Sequence, residues 1–379
     1  MKFQRPERQQ IKPTREILHF DGMTPLESSL EARLCQDFLT RTEDEASLDL
    51  ISAESLAETA LFAVEGFEER SVGVLEMLAN KACVSELVIA RYDEHRGPNT
   101  KFRKRFDRAA RKLAPSHWRT VHNTNDGSWF LQELSNIKST RILFDITGAS
   151  NRSLFGLLDA AVSSGREVLI AYSEAGEYWP TQNDWRTLRR ELVAPDDLAR
   201  VVDEKPWLFG YQHRCELVKG HEGYDSAGSA RSLVAFLPFK PARLASVIGE
   251  EEYSAFVYVA GRPRLPENEW RLKALIEINA DLTRGQRVLT MDTFGYRKAF
   301  KQLTDILFVE PALLNNFDVH LAPLGSKLQV VACWALSSII RSVTVVTSVP
   351  LKYFPEAFSE GIGERWVVRL VAPIANKPV

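Results

Sequence analysis

Cysteine is scarce in this chain of 379 residues: Cys35, Cys83, Cys215 and Cys333 lie far apart and form no CxxC pair. A disulfide framework and a zinc ribbon are excluded, and a reducing cytoplasm is the expected setting. Histidine is sparse too. His19, His95, His117, His122, His213, His221 and His320 form no HxH, no HExxH and no cluster with cysteine, so no metal centre is expected. No run of about 18 uncharged apolar residues occurs, so no membrane-spanning helix is expected. The opening MKFQRPERQQIKPTREIL lacks an apolar core and does not read as a signal peptide. The dinucleotide, P-loop and hydrolase-elbow fingerprints (GxGxxG, GxxxxGKS or GxxxxGKT, GxSxG) are missing, and no cofactor is expected. Charge of one sign is lacking as well: 48 basic and 50 acidic residues leave a net −2. Any anionic partner must therefore be held by a local patch.

What is present is repetition. REVLIAYSEAGEYWP at 166–180 returns as RSVTVVTSVPLKYFP at 341–355, with Arg166, Val168 and Ser173 matching Arg341, Val343 and Ser348, 175 positions on. Other segments follow in the same order. LFAVEGF (61–67) parallels LVAFLPF (233–239), SELVIARY (85–92) parallels SAFVYVAG (254–261), and PNTKFRK (98–104) parallels PENEWRL (266–272). TNDGSWFLQELSNI (124–137) parallels TFGYRKAFKQLTDI (293–306). A collinear series with small offset changes is what duplication and loop drift leave behind.

Each copy alternates short branched apolar runs with helical stretches. In the first, the runs fall at 61–65, 86–91, 118–122, 141–146 and 167–172, with helices near 69–80, 99–113, 128–137 and 151–163. LFGLLDAAV, for example, places Leu154, Leu157, Leu158 and Ala161 on one helical face. Such alternation implies βαβ units and a parallel sheet covered on both faces. The expected fold is α/β: two tandem Rossmann-like domains, each a mostly parallel five-stranded sheet with helices on both faces. They span 56–182 and 228–357. Residues 1–55 read as a peripheral elaboration, 183–227 as a connector with a hairpin in WLFGYQHRCELV, and 358–379 as a C-terminal strand and tail.

Ligands of open parallel sheets bind beyond the carboxyl ends of the strands, where helix N-termini offer unpaired amides. The turns there are Glu65 to Ser71 and Asp145 to Arg152 in the first copy, and Pro238 to Arg243 and Pro323 to Lys327 in the second. Each combines small or rigid residues with hydroxyls or cations, although glycine, serine and asparagine after a strand are also ordinary turn and cap chemistry. Lys240, Arg243, Gly325, Ser326 and Lys327 are the second copy's candidates. Arg152 and Lys327, 175 positions apart, read as repeat-equivalent cations able to grip two phosphates of one pseudo-symmetric ligand.

DITGASNR after an apolar strand resembles the strand-four loop, N-x-T-G-G-T-K, of CRISPR-associated Rossmann fold (CARF) domains, and GFEERS resembles that family's other ligand loop. Ala149 stands where the family has its second glycine, and the second copy has no TGG. Two such domains in tandem resemble the fused SAVED-type arrangement, which implies a sensor of cyclic oligonucleotide messengers that signals to a separate effector in antiviral defence. The resemblance implies ligand contacts at Gly66, Arg70, Ser71, Thr147, Gly148, Ser150, Asn151 and Arg152.

KFRKRFDRAARK (101–112) reads as a helix with Phe102, Phe106, Ala109 and Leu113 inward and a basic outer face. Arg103, Arg105 and Arg108 on that face are candidates for steering an anion or docking nucleic acid, beside the ordinary reading of a solvated surface. For an enzyme working in the cleft, a transferase or a phosphodiesterase, the available acids and bases are Asp145, Glu69 and His320. A purely interacting subunit, docking through 99–113, is the third reading.

Overall fold

Strands buried on both faces must be sheathed by helices, and β2 (Thr59–Glu65), buried along its whole length, sets the pattern. The computed structural model describes residues 29–81, 84–92, 100–123, 128–191, 213–224, 229–309, 313–314, 317–351 and 358–373. The first half begins with α1 (Leu30–Arg41), β1 (Ala46–Ser47), α2 (Ala53–Ala57) and β2. It continues through α3 (Gly73–Ala79), β3 (Glu86–Tyr92), α4 (Arg103–Leu113), β4 (His117–Asn123), α5 (Ser128–Asn136) and β5 (Arg141–Asp145). It closes with α6 (Asn151–Ser163), β6 (Glu167–Ser173), β7 (Glu177–Tyr178) and α7 (Gln182–Glu191).

The second half runs β8 (His213–Leu217), β9 (Arg231–Phe236), α8 (Pro241–Ile248), β10 (Ala255–Arg262), α9 (Trp270–Ile278) and β11 (Arg287–Asp292). Then come α10 (Tyr296–Val309), β12 (Asp318–Ala322), α11 (Lys327–Ile339), β13 (Thr344–Pro350), β14 (Ser359–Glu360) and β15 (Arg365–Arg369). No described helix is long and apolar enough to cross a membrane. Of the expected hairpin, His213 to Leu217 form β8, while 207–212 lie outside the described residues, as do Tyr353, Phe354, Pro355 and residues 1–28.

The two sheets share one topology. The first is ordered β1-β15-β6-β5-β2-β3-β4 and the second β11-β10-β9-β12-β13-β8. In each, five parallel strands lie in the same order, with the first strand central and flanked by the second and the fourth. Antiparallel edges enlarge them to seven and six strands: β15 joins β6 and β1 joins β15, while β8 joins β13. The expectation of two mostly parallel Rossmann-like sheets holds, with strands added outside the five.

Ladder register tests the sequence repeat residue by residue. Ala60 pairs with Glu86 as Ser232 pairs with Ala255, so the sequence offsets of 172 and 169 are reproduced. At the fourth strand the offset is 177, from Arg141 opposite Thr59 and Asp318 opposite Arg231. By the fifth it is 175, from Leu169 and Thr344 opposite Leu143 and His320. Between them, Ser150 caps α6 and Ser326 caps α11, 176 positions apart. This corrects one equivalence: Lys327 matches Asn151, and Arg152 matches Leu328.

The core explains why the halves are not independent. One continuous apolar cluster takes in Phe62 and Phe144 of the first half with Phe236, Phe300 and Trp334 of the second. At its centre α11 is buried from Leu328 to Ile339 without interruption, as expected of a helix apolar all round. It lies against α6, where Trp334 Nε1 donates to Asp159 Oδ1 at 2.7 Å. His221 joins the same buried seam, contacting Ser337 Oγ at 2.7 Å and Asp159 Oδ2 at 3.2 Å. The N-terminal helix differs from its expected peripheral place. Cys35 and Phe38 of α1 are fully buried, and Phe38 packs on Phe300 with ring centroids 4.5 Å apart. Phe38→Ala should therefore lower stability by about 3 kcal/mol in denaturant unfolding; a loss under about 0.5 kcal/mol would place α1 outside the core.

Candidate functional site

The four strand-end turns converge on a single cleft of about 1110 Å³ between the two sheets. Gly66, Arg70, Ser71, Thr147, Gly148, Ser150, Asn151, Arg152, Lys240, Arg243, Gly325, Ser326 and Lys327 all line it. What differs is how much of each side chain is left for a ligand.

Several are consumed by the loops themselves. A Cβ on Gly148 would sit 1.9 Å from Val64 O, and one on Gly66 would sit 3.2 Å from Gly148 Cα. The two glycines thus exist so that the loops after β2 and β5 can touch. Ser71 Oγ donates to Glu68 O at 2.6 Å. Ser150 Oγ accepts from Ser153 N at 3.1 Å, and Ser326 forms a capping box with Gln329. A Cβ on Gly325 would lie 2.2 Å from Gln329 Oε1. Thr147 N donates to Asp145 Oδ1 at 3.0 Å, while Thr147 Oγ1 accepts from Ser173 N at 2.9 Å. Arg152 leans away to Glu216 on β8, 3.1 Å off.

The cations are disposed unequally. Arg70 is clamped in the first half: Nε and NH2 reach Glu68 at 2.8 and 3.0 Å, and NH1 reaches Tyr172 OH at 2.8 Å. Lys240 Nζ lies 3.7 Å from the centroid of the Phe358 ring. Burial and Arg243 push its ammonium down to about 8, against the pull of Glu68. His213, whose Nδ1 is 3.0 Å from Ser348 Oγ, is driven down to about 4 by burial and by Arg243 and Lys240. Lys327 Nζ donates across the interface to Asn151 Oδ1 at 3.0 Å and to Ala149 O. Burial, with Arg70 and Arg243 nearby, pushes it down to about 7. Lowered amines crowded among guanidiniums mark a region of positive potential that an anion would relieve.

The walls carry residues that sequence reading passed over. Arg271 donates to the carbonyls of Tyr178, Trp179 and Pro180 at 2.8, 3.1 and 2.7 Å and lies 4.4 Å from the Phe239 centroid. Arg264 reaches Glu174 at 3.2 Å and stacks 5.0 Å from the Trp366 centroid. These contacts join segments some 90 residues apart, and no local pattern announces them. The Glu68 and Arg70 pair, by contrast, was visible in GFEERS as opposite charges two apart.

Other candidates fall outside the cleft. On α4, Arg103 pairs with Glu65 at 3.0 Å, and Arg105 bridges Glu69 and Glu76. Arg108 is exposed but does not line the cleft. Two of the three proposed steering cations are thus paired with acids of their own half, while Arg108 stays exposed. The three acid–base candidates stand apart. Glu69 is bound to Arg105, and His320 Nδ1 lies 3.1 Å from Tyr253 OH. Asp145 is buried beneath the Thr147 loop, raised by burial to about 7 despite the Thr147 bonds, with Oδ2 unpartnered. Among the described residues no group of three His, Cys, Asp or Glu side chains could hold a metal.

No family model matches the chain, and no curated protein matches it. Among solved structures, the chain is similar to a Type III CRISPR defence DNA nuclease activated by cyclic oligoadenylate: TM-score 0.46, 11% identity, covering 74% of this chain and 64% of that one. The chain thus spans less than two thirds of that protein's length. It is also similar to the cytoplasmic domain of a prokaryotic cation chloride cotransporter, with TM-score 0.24 and 8% identity over 77% of this chain and 95% of that one. A universal stress protein from Archaeoglobus fulgidus gives TM-score 0.22 and 13% identity over 77% and 96%.

Lys327 generates a pH prediction. Below about pH 7 the amine is protonated folded and unfolded, and the cost of enclosing the charge is fully present. From about 7 to the ordinary lysine value of 10.5, the unfolded chain holds the extra proton, so stability rises with pH. Denaturant titrations of wild type and Lys327→Met across this window should show the wild type gaining stability relative to the variant. Parallel curves would mean that the amine is not enclosed.

Proposed function

We propose that this chain is a receptor for a nucleotide-type anion, held in the cleft between the two Rossmann-like halves, and that it signals to a separate effector. The observation that carries the reading is the convergence of four strand-end turns, two helix N-termini and the cations Lys240, Arg243 and Lys327 on one cavity. Phosphates suit the amides and cations. Aromatic walls at Phe239, Trp270 and Tyr178 suit stacked bases. The cavity volume exceeds what a single small metabolite fills. Pseudo-twofold repetition of the turns favours a ligand that itself repeats, and the CARF resemblance of DITGASNR and GFEERS makes a cyclic oligonucleotide messenger the class to try first. Antiviral defence in the cytoplasm is the corresponding setting.

The enzyme reading loses the three groups named for it, because Asp145, Glu69 and His320 do not meet in the cleft. A general acid or base needs to reach the reacting atoms, and none of the three lines the cavity. On α4, Arg103 and Arg105 are occupied by ion pairs, so any docking of nucleic acid there would fall to the exposed Lys104, Arg108 and Arg111.

Calorimetry against a panel of cyclic and linear oligonucleotides, cyclic oligoadenylate included, is the test. Binding to one class is expected, weakened at least about 100-fold in Lys240→Ala/Arg243→Ala, in line with two charge-assisted contacts. Heat unchanged in that double variant would move the ligand elsewhere, and ligand consumed during the titration would turn the receptor into an enzyme.

A further inference from the structure

The strand-one loops of the two halves differ in sign at one matched position. Glu68 stands immediately before the turn Glu69–Val72 as Lys240 stands immediately before α8, 172 positions on, the offset that also relates β2 to β9. The second half thus offers a cation where the first offers a carboxylate. Both oxygens of that carboxylate are taken: Arg70 donates to each, and Ser359 Oγ donates to Oε2. Burial pushes the Glu68 carboxyl up, but Arg70, Ser359 and Lys327 together outweigh it and hold the group below its usual range. An anion therefore already stands among the cations that a phosphate would seek.

The residue beside Ser359 completes the picture. Phe358 lies under Lys240 Nζ and meets the ring of Phe67 edge to face, centroids 5.0 Å apart. The segment 358–360 thus shows a ring and a hydroxyl to the strand-one loops of both halves. It is tied down by the β14–β7 ladder and by Trp179 N donating to Phe358 O at 3.0 Å. On the other side of that ladder, Arg70 NH1 reaches Tyr178 OH at 3.4 Å, and Arg271 of the second half holds Tyr178 O. A change at Glu68 is therefore felt at both edges of the strap.

We propose that Glu68, Ser359 and Phe358 are the cleft's internal occupant, and that an incoming phosphate takes the place of Glu68 on Arg70, releasing the β7–β14 strap as the output of binding. This rests on the receptor reading for the identity of the ligand, but not for the strap's dependence on Glu68. Once its carboxylate leaves Arg70 and Ser359, a base stacking at the Phe358 position would displace that ring from Phe67, leaving only the short β7–β14 ladder and the Trp179 N bond to hold the strap.

Hydrogen exchange read by mass spectrometry tests the dependence without any ligand. In Glu68→Gln, and separately in Ser359→Ala, peptides covering 174–182 and 358–364 should exchange about 10-fold faster, with β2 and β9 unchanged. Calorimetry with inorganic phosphate as the probe forms the second arm. Glu68→Gln should bind it about 10-fold more tightly than wild type, because a competing anion has gone. Should Glu68→Gln not fold, Glu68→Gln/Arg70→Met removes both members of the buried pair and carries the same exchange measurement. Unchanged exchange in the folded variants, or weaker phosphate binding, overturns the proposal. Silence of the oligonucleotide panel together with a loosened strap would sink only the ligand's identity; oligonucleotide binding with an unmoved strap would sink this inference alone.

Discussion

Burial of α11 beside α6 in the shared core presses two helix N-termini together. Lys327 at the start of α11 donates to Ala149 O and Asn151 Oδ1 at the start of α6, and Asn151 Nδ2 returns a bond to Pro323 O at 3.1 Å. Each rim thus spends polar groups on the other, and the positive ends of two helix dipoles point into one cavity. Like-signed ends would separate if they were free. They cannot, because α11 is buried along its length and α6 packs beside it in the shared core. Apolar burial forces an electrostatically unfavourable arrangement, and it also encloses the Lys327 and Lys240 amines, which burial and the neighbouring guanidiniums depress.

From this constraint the asymmetry of the cleft becomes intelligible. Duplication delivers two equivalent rims, but a cavity with cations at every matched position would repel itself. The first half has answered with Glu68, which neutralises Arg70 at hydrogen-bond distance. The second half keeps Lys240 beside Arg243 and a neutral His213. One rim is closed upon itself and the other is left electropositive. Buried ion pairs add little net stability, so the Glu68–Arg70 pair is better understood as setting the charge of the site than as holding the fold.

Much of this was legible in the amino-acid sequence, for a local reason. Strand and helix periodicity depends on neighbours a few residues away. The runs at 61–65, 86–91, 118–122, 141–146 and 167–172 accordingly coincide with β2 to β6 within two residues at either end. The strand-end turns were legible because parallel topology dictates which end carries ligand loops. The equivalence of Arg152 with Lys327 was not, since one-residue slips within the loop after the fourth strand cannot be seen without the caps Ser150 and Ser326. Nor could the sequence show that Arg105 would be spent on Glu69 and Glu76, acids roughly 30 residues away.

The chain's letters alone determined two similar β/α units with mostly parallel sheets and the turns that rim the cleft. Only the tertiary structure decided that α1 belongs to the core, that β15 and β8 extend the sheets, and that Glu68, Arg271 and Phe358 shape the cavity. The division has a physical cause. Periodicity and turn chemistry act over a few residues and leave a trace in the local sequence. Packing of distant segments is chosen by the total apolar surface buried and by which charges that burial brings face to face. No window of sequence contains that sum.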